Sequence, residues 1–161
     1  MTDETPNTQP TAGEQHFAIE KLYIKDASLE SPNSPAIFTL KWEPEINIQL
    51  TSATKQVDEK AYEVVLTITV TAKIGEKNAY LAELQQAGIF SVHGFQSTEI
   101  GALLGSYCPG VLYPYASEAV YSLISKAGFP PLYLAPINFD AMWAKQQMEQ
   151  AQTSGAQAAS H

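Results

Sequence analysis

The chain has 161 residues, 17 of them acidic and 9 basic, with a net charge of −8 at pH 7. That length suits one domain burying about 70% of its unfolded surface. The charge argues against a nucleic-acid partner, whose phosphates need clustered Lys and Arg, and would attract a basic one. A lone cysteine, Cys108, excludes an internal disulfide and fits a reducing cytosol. The N-terminus shows no basic, then apolar, pattern, and no apolar run approaches the ~18 residues of a membrane span, so neither a signal peptide nor membrane insertion is expected.

Residues 1–15 are polar, carry Pro and Gly, and hold no apolar period, so disorder is expected there. The tail 150–161 reads the same way, leaving one domain over 16–149. The first strand is noisy. Phe17, Ile19, Tyr23, Ala27 and Leu29 share one face against Glu20, Asp26, Ser28 and Glu30, but lysines and aliphatics interrupt both faces, as a bulge would make them do. Ser31 to Pro44 has three prolines and no period, hence a crossover loop, yet it carries Ile37, Phe38, Leu40 and Trp42 and must lie over something apolar.

Ile46, Ile48 and Leu50 alternate with polar residues in the second strand. Tyr62 to Ile74 alternates over thirteen residues, the clearest strand in the chain. Gly75-Glu76-Lys77-Asn78 turns into a fourth strand, where Tyr80, Ala82 and Leu84 face one way and Leu81, Glu83 and Gln85 the other. Gly88 and Gly94 read as turn and bulge glycines around Ile89–Phe95.

Apolar residues at spacings of three and four then predict a helix over 97–127, with Ser97 or Thr98 as N-cap and a kink or break at Cys108-Pro109-Gly110. Its buried stripe runs Leu112, Tyr115, Ala116, Ala119, Val120, Leu123 and Ile124. Gly128, followed by Pro130 and Pro131, stops it. Asn138 caps a last helix with an apolar stripe of Phe139, Met142 and Trp143. Strands followed by helices give an α+β fold: a four-stranded antiparallel sheet with a long kinked helix and a short C-terminal helix on one face.

Little chemistry is available. His16, His93 and His161 are scattered without metal-ligand spacing, so no metal is expected. Cys108 has no CxxC and no basic neighbour and reads as a buried structural thiol. There is no GxSxG and no phosphate-binding glycine loop, so neither catalytic residues nor a cofactor are expected. The alternative of an enzyme with a pocket at Ile89–Phe95 would need convergent titratable groups, and only His93 offers one.

The chain instead offers apolar surface in irregular places: Phe38 and Trp42 on the loop, Met142 and Trp143 on the last helix, and Ile46, Ile48 and Leu50 between them. Each could equally fill the core; as a set they suggest a groove under a mobile lid that binds varied apolar segments. The long helix carries only Glu99, Glu118 and Lys126 as charges, while Gly101 and Gly105 are small. A helix facing water would be richer in charge, so a second subunit is expected to cover that layer. Gln86, continuing the inward face of Ala82 and Leu84, is placed at the same interface.

Tyr107-Cys108-Pro109-x-x-Leu112-x-Pro114-Tyr115-Ala116, Phe129-Pro130 and Leu134-Ala135-Pro136-x-Asn138-Phe139-Asp140 resemble the SecB family of bacterial protein-export chaperones. Leu84–Phe90, Tyr62–Leu66 and Tyr23-x-Lys25-Asp26 match in the same order, so the resemblance covers roughly 16–149. Ser117 stands where the family commonly has Arg, and Gly110 where it has Asn; the first removes a cation and the second loosens the kink. The resemblance implies a cytoplasmic homotetramer, a dimer of dimers. It would hold unfolded secretory precursors translocation-competent without ATP and deliver them to the SecA motor for the Sec translocon. It also implies that Asp26, Glu30, Leu81 and Glu83 receive the zinc-bearing, Lys-rich tail of SecA, the zinc being the partner's. A plain oligomeric adaptor holding no client is the other alternative.

Overall fold

In a computed structural model, which describes residues 13–158, four strands form one antiparallel sheet: β1 (His16–Glu30), β2 (Glu45–Asp58), β3 (Ala61–Ile74) and β4 (Lys77–His93). Their spatial order is β1-β4-β3-β2. The expectation for residues 1–12 lies outside the described residues; 13–15 carry no regular structure. β3 and β4 are paired on both sides, their inward rows are buried from Val64 to Ala72 and from Tyr80 to Val92, and β1 and β2 are the edges.

Two register shifts separate β1 from a regular ladder, one between Ile19 and Lys21 and one between Ile24 and Asp26. They explain the noise in its pattern. Each extra residue flips the faces, so Phe17, Leu22 and Leu29 pack inward while Tyr23, expected among them, turns to the outer face. Gly88 is neither turn nor bulge. It lies inside β4, where an added Cβ would sit 2.8 Å from the Phe90 ring and 3.1 Å from Leu22. Gly94 does make the turn, at φ +80°. The segment 89–95 is thus strand and turn rather than an enzyme pocket: Phe90 and Val92 are core residues.

The crossover from β1 to β2 runs from one edge of the sheet to the other and folds a 3₁₀ turn over Ala36–Thr39, with Ile37 buried beneath it. The helix layer is continuous: α1 (Ser97–Ala102), a π-helical turn (Leu103–Tyr107) and α2 (Cys108–Lys126). Gln96 is the N-cap, one residue before the expected position; its N–H donates to the Glu99 carboxylate at 2.8 Å, closing a capping box. The predicted break is a π turn. The Cys108 N–H donates to the Leu103 carbonyl, five residues back, and this widening carries the chain past Pro109, which has no N–H to give.

At its other end α2 closes in a Schellman motif. Phe129 N–H donates to Ile124 O at 3.4 Å and Gly128 N–H to Ser125 O at 3.1 Å, with Gly128 at φ +91°. The buried ridge is narrower than predicted. Cys108, Leu112, Ala116, Val120 and Ile124, four residues apart, rest on the inward rows of β3 and β4, whereas Tyr115 is 52% exposed. Each large aliphatic on this ridge contributes about 1.5–3 kcal/mol.

Asn138 caps α3 (Phe139–Ala158), its side-chain oxygen accepting from Ala141 N–H at 3.0 Å. This helix runs beyond residue 149, so residues 150–158 are helical where disorder was expected. Alanine and glutamine favour the helix there, and the Thr153 and Ser154 hydroxyls donate to carbonyls four residues back, within the helix.

Candidate functional site

The outer sheet face collects the acidic residues. Glu30 lies opposite Leu81, Ser28 opposite Glu83 and Asp26 opposite Gln85, so Asp26, Glu30, Leu81 and Glu83 share one face over two adjacent strands. β3 continues this face with Thr71, Thr69 and Thr67. Asp26 and Glu30 are four residues apart, ~13 Å along the strand. Leu81, 41% exposed, lies beside Glu30 at one end of this row. Among the described residues none of the three acids has a salt-bridge partner. None of the three is therefore neutralised by a contact ion pair among these residues, and an apolar side chain lies beside them.

A fourth acid on this face is neutralised, which bounds the patch. Glu63 accepts a hydrogen bond from Tyr23 Oη at 2.6 Å on one oxygen and from Lys25 Nζ at 2.6 Å on the other. The Lys25 hydrogen bond first, and the Tyr23 hydroxyl second, hold the Glu63 carboxyl below the usual carboxylate range. Burial, then the adjacent carboxylate, push the Tyr23 hydroxyl up to about 12. The sequence pattern put Tyr23 on the wrong face and so concealed this cluster; only the bulges reveal it.

The inner face holds the apolar groove residues, in two groups joined by β2. At one end Phe38 and Trp42 pack on Phe129, with ring centroids 5.0 and 5.6 Å away, and Trp42 also stacks over the buried Tyr80 at 6.4 Å. At the other end Met142 and Trp143 of α3 face Leu50 across a cleft of about 530 Å³ that also touches Gly105 and Pro109. Between these ends Ile46 and Ile48 are 37% and 46% exposed, because α2 covers β3 and β4 and stops short of the edge strand. Ile46 and Leu50 are ~13 Å apart along the strand. The free backbone edge of β2 flanks this apolar strip.

Of the residues expected at a subunit interface, three lie in the interior of the protomer. Ala82, Leu84 and Gln86 are 2%, 1% and 4% exposed inside the protomer, under α2. The inward face of β4 is covered by the chain's own helix, and Gln86 is satisfied internally, donating from Nε2 to the Tyr23 carbonyl at 3.1 Å. Gly105 is small for an internal reason too: the Trp143 ring lies against it, 2.2 Å from where a Cβ would be, and also beside Gly101, at 3.7 Å. The outer side of the helix layer instead exposes Tyr107, Tyr115, Tyr121 and Tyr133.

Titratable chemistry is sparse. Cys108 is fully buried, which pushes its thiol up to about 12. Among the described residues no group of three His, Cys, Asp or Glu could hold a metal. The β1–β4 register does bring together two histidines that lie far apart in sequence: His16 and His93 stack at 4.7 Å. Burial first, then His16 and Lys60, lower the His93 pKa. Among the described residues no helix is long and apolar enough to cross a membrane.

Comparison with known proteins agrees with this geometry. The family model described as preprotein translocase subunit SecB matches residues 10–150. The protein-export protein SecB of Methylococcus capsulatus is 55% identical over 157 residues, covering 97% of this chain and 98% of that one. That of Nitrosococcus oceani is 49% identical over 165 residues, covering 100% of both. Among solved structures, a Mycobacterium tuberculosis SecB-like chaperone in complex with an antitoxin peptide superposes with a TM-score of 0.62 at 19% identity, covering 75% of this chain and 90% of that one. That likeness concerns the fold.

Proposed function

The chain belongs to the SecB family of protein-export chaperones, which are not enzymes, and from that premise we propose how its two faces divide the work. Unfolded precursor segments lie along the inner groove, from Phe38 and Trp42 past Ile46, Ile48 and Leu50 to Met142 and Trp143. The edge of β2 adds main-chain hydrogen bonds to an extended client. The observation that carries this reading is the strip of exposed apolar side chains beside an unpaired strand edge, a combination a folded monomer otherwise avoids.

Binding here needs no nucleotide. Burying one apolar client side chain contributes ~1.5–3 kcal/mol, against ~1–2 kcal/mol for fixing each residue's backbone. Each site is nearly balanced, so several act together and each exchanges quickly. That suits a holder that must let its client go.

The acidic face receives the basic, zinc-bearing tail of SecA, the zinc belonging to the partner. Asp26, Glu30 and Glu83 speed the encounter, and Leu81 supplies the desolvated contact that slows release. The exposed tyrosines and the scarcity of charge on α1 and α2 support a second copy covering the helix layer, hence a cytoplasmic homotetramer built as a dimer of dimers. Residues 16–149 form the chaperone unit.

Calorimetric titration with the zinc-loaded tail tests the docking face. Replacing Asp26, Glu30 and Glu83 together should weaken binding by about threefold to a hundredfold, since each exposed pair is worth ~0.2–1 kcal/mol. Rising salt should mimic the change, because such pairs are screened at ~8 Å. Equal affinities for wild type and the triple variant would show a plain solvated sheet face.

A further inference from the structure

Trp143 occupies an unusual place for a side chain meant to meet clients. Its six-membered ring lies against the π turn, so close that a Cβ on Gly105 would come within 2.2 Å of Cζ3, 2.4 Å of Cε3 and 2.8 Å of Cη2. A Cβ on Gly101, one turn earlier, would meet Cζ2 at 3.7 Å. Gly105, set beneath the ring by the π turn, makes a flat notch, with Gly101 at its rim in ordinary contact. Only glycine at 105 leaves room for the indole.

The notch separates two cavities. One is the ≈ 530 Å³ cleft against β2; the other, ≈ 390 Å³, is lined by Phe95, Leu103 and Tyr107 among others, and Trp143 walls both. With the indole gone they would join. Little else holds it there. In α3 only Phe139 is buried, edge-on to Tyr113, residues 144–156 are exposed, and among the described residues the side-chain hydrogen bond that ties α3 to the helix layer is the one from Ser106 to Asp140.

We propose that Trp143 is an internal plug: its indole fills an aromatic-binding notch over Gly105, and a client's aromatic side chain gains that notch by displacing it. The inference rests on the client-binding reading above and adds both a ligand class and a competition. The notch prefers a ring because its floor is bare backbone, flat and as wide as the indole it already holds. A branched aliphatic chain would leave part of it empty.

Two variants and two peptides decide it. The probes are an unstructured peptide with one central phenylalanine and its leucine counterpart, titrated against the full-length protein. Trp143→Ala vacates the notch, so it should bind the phenylalanine peptide about three- to tenfold more tightly than wild type, the effect of one aromatic contact, with a smaller gain for leucine. Gly105→Ala places a methyl in the notch and should abolish the preference for phenylalanine. In a Trp42→Phe background, where Trp143 is the sole tryptophan, the phenylalanine peptide should raise acrylamide quenching of its emission. Unchanged or weaker phenylalanine-peptide binding by Trp143→Ala would overturn the plug, as would a preference that survives Gly105→Ala. Failure of wild type to bind either peptide would refute the client-binding reading itself.

Discussion

Trp42→Ala distinguishes groove from core. Trp42 is half-buried, leaning on the buried rings of Tyr80 and Phe129, so it belongs partly to each. A fully buried Trp→Ala costs ~3–5 kcal/mol. Here one face of the indole is open, and Phe38, already on Phe129, can settle into part of the space. About half that cost, ~2 kcal/mol, is expected, which lowers the melting temperature by roughly 4–8 °C in a chain of this size. Client capture should lose one aromatic contact, ~0.5–1.5 kcal/mol, or about two- to tenfold in affinity. Scanning calorimetry gives the first quantity, and fluorescence anisotropy with an unfolded client, well below the melt, gives the second. A drop beyond about 15 °C with unchanged capture would place Trp42 wholly in the core and refute the groove argument.

Glu63→Gln should destabilise by ~1–2 kcal/mol at pH 7, since its two charge-assisted hydrogen bonds include one from a half-exposed lysine. The folded-state value of Glu63 is depressed, so its stabilisation is present above the unfolded value of ~4.3 and lost as pH falls through the folded one. The gap in melting temperature between wild type and variant should therefore close in acid, and a gap of equal size at pH 3 and pH 7 would refute the linkage. Light scattering at micromolar concentration should give about four times 17.5 kDa; a monomer would leave the tyrosine-rich helix face without a partner.

The strands and the two main helices were legible because their hydrophobic periods are long and uninterrupted: Tyr62 to Ile74 is strand by alternation, and Leu112, Ala116, Val120 and Ile124 are helix by spacing. The acidic face was legible too, since Leu81 and Glu83 lie across from Glu30 and Ser28 in a regular stretch of ladder. The errors came where local pattern meets tertiary contact. Two bulges in β1 turned Tyr23 over, and a period cannot announce where an extra residue is inserted. Gly88 and Gly105 are small because Phe90, Leu22 and Trp143 need the space, and in sequence such glycines look like turns or subunit contacts. Gln86 looked like an interface residue because its partner, the Tyr23 carbonyl, is 63 positions away.

The account turns on the chain holding unfolded precursors through side-chain contacts alone. A secretory precursor unfolded in denaturant should be diluted into buffer with the purified protein and no nucleotide, and its aggregation followed by light scattering. The precursor should stay unaggregated and bound at near-stoichiometric protein, with no gain from added ATP, while the same precursor already folded should not bind. Aggregation at the rate seen without the protein, or protection only when ATP is present, would contradict the account.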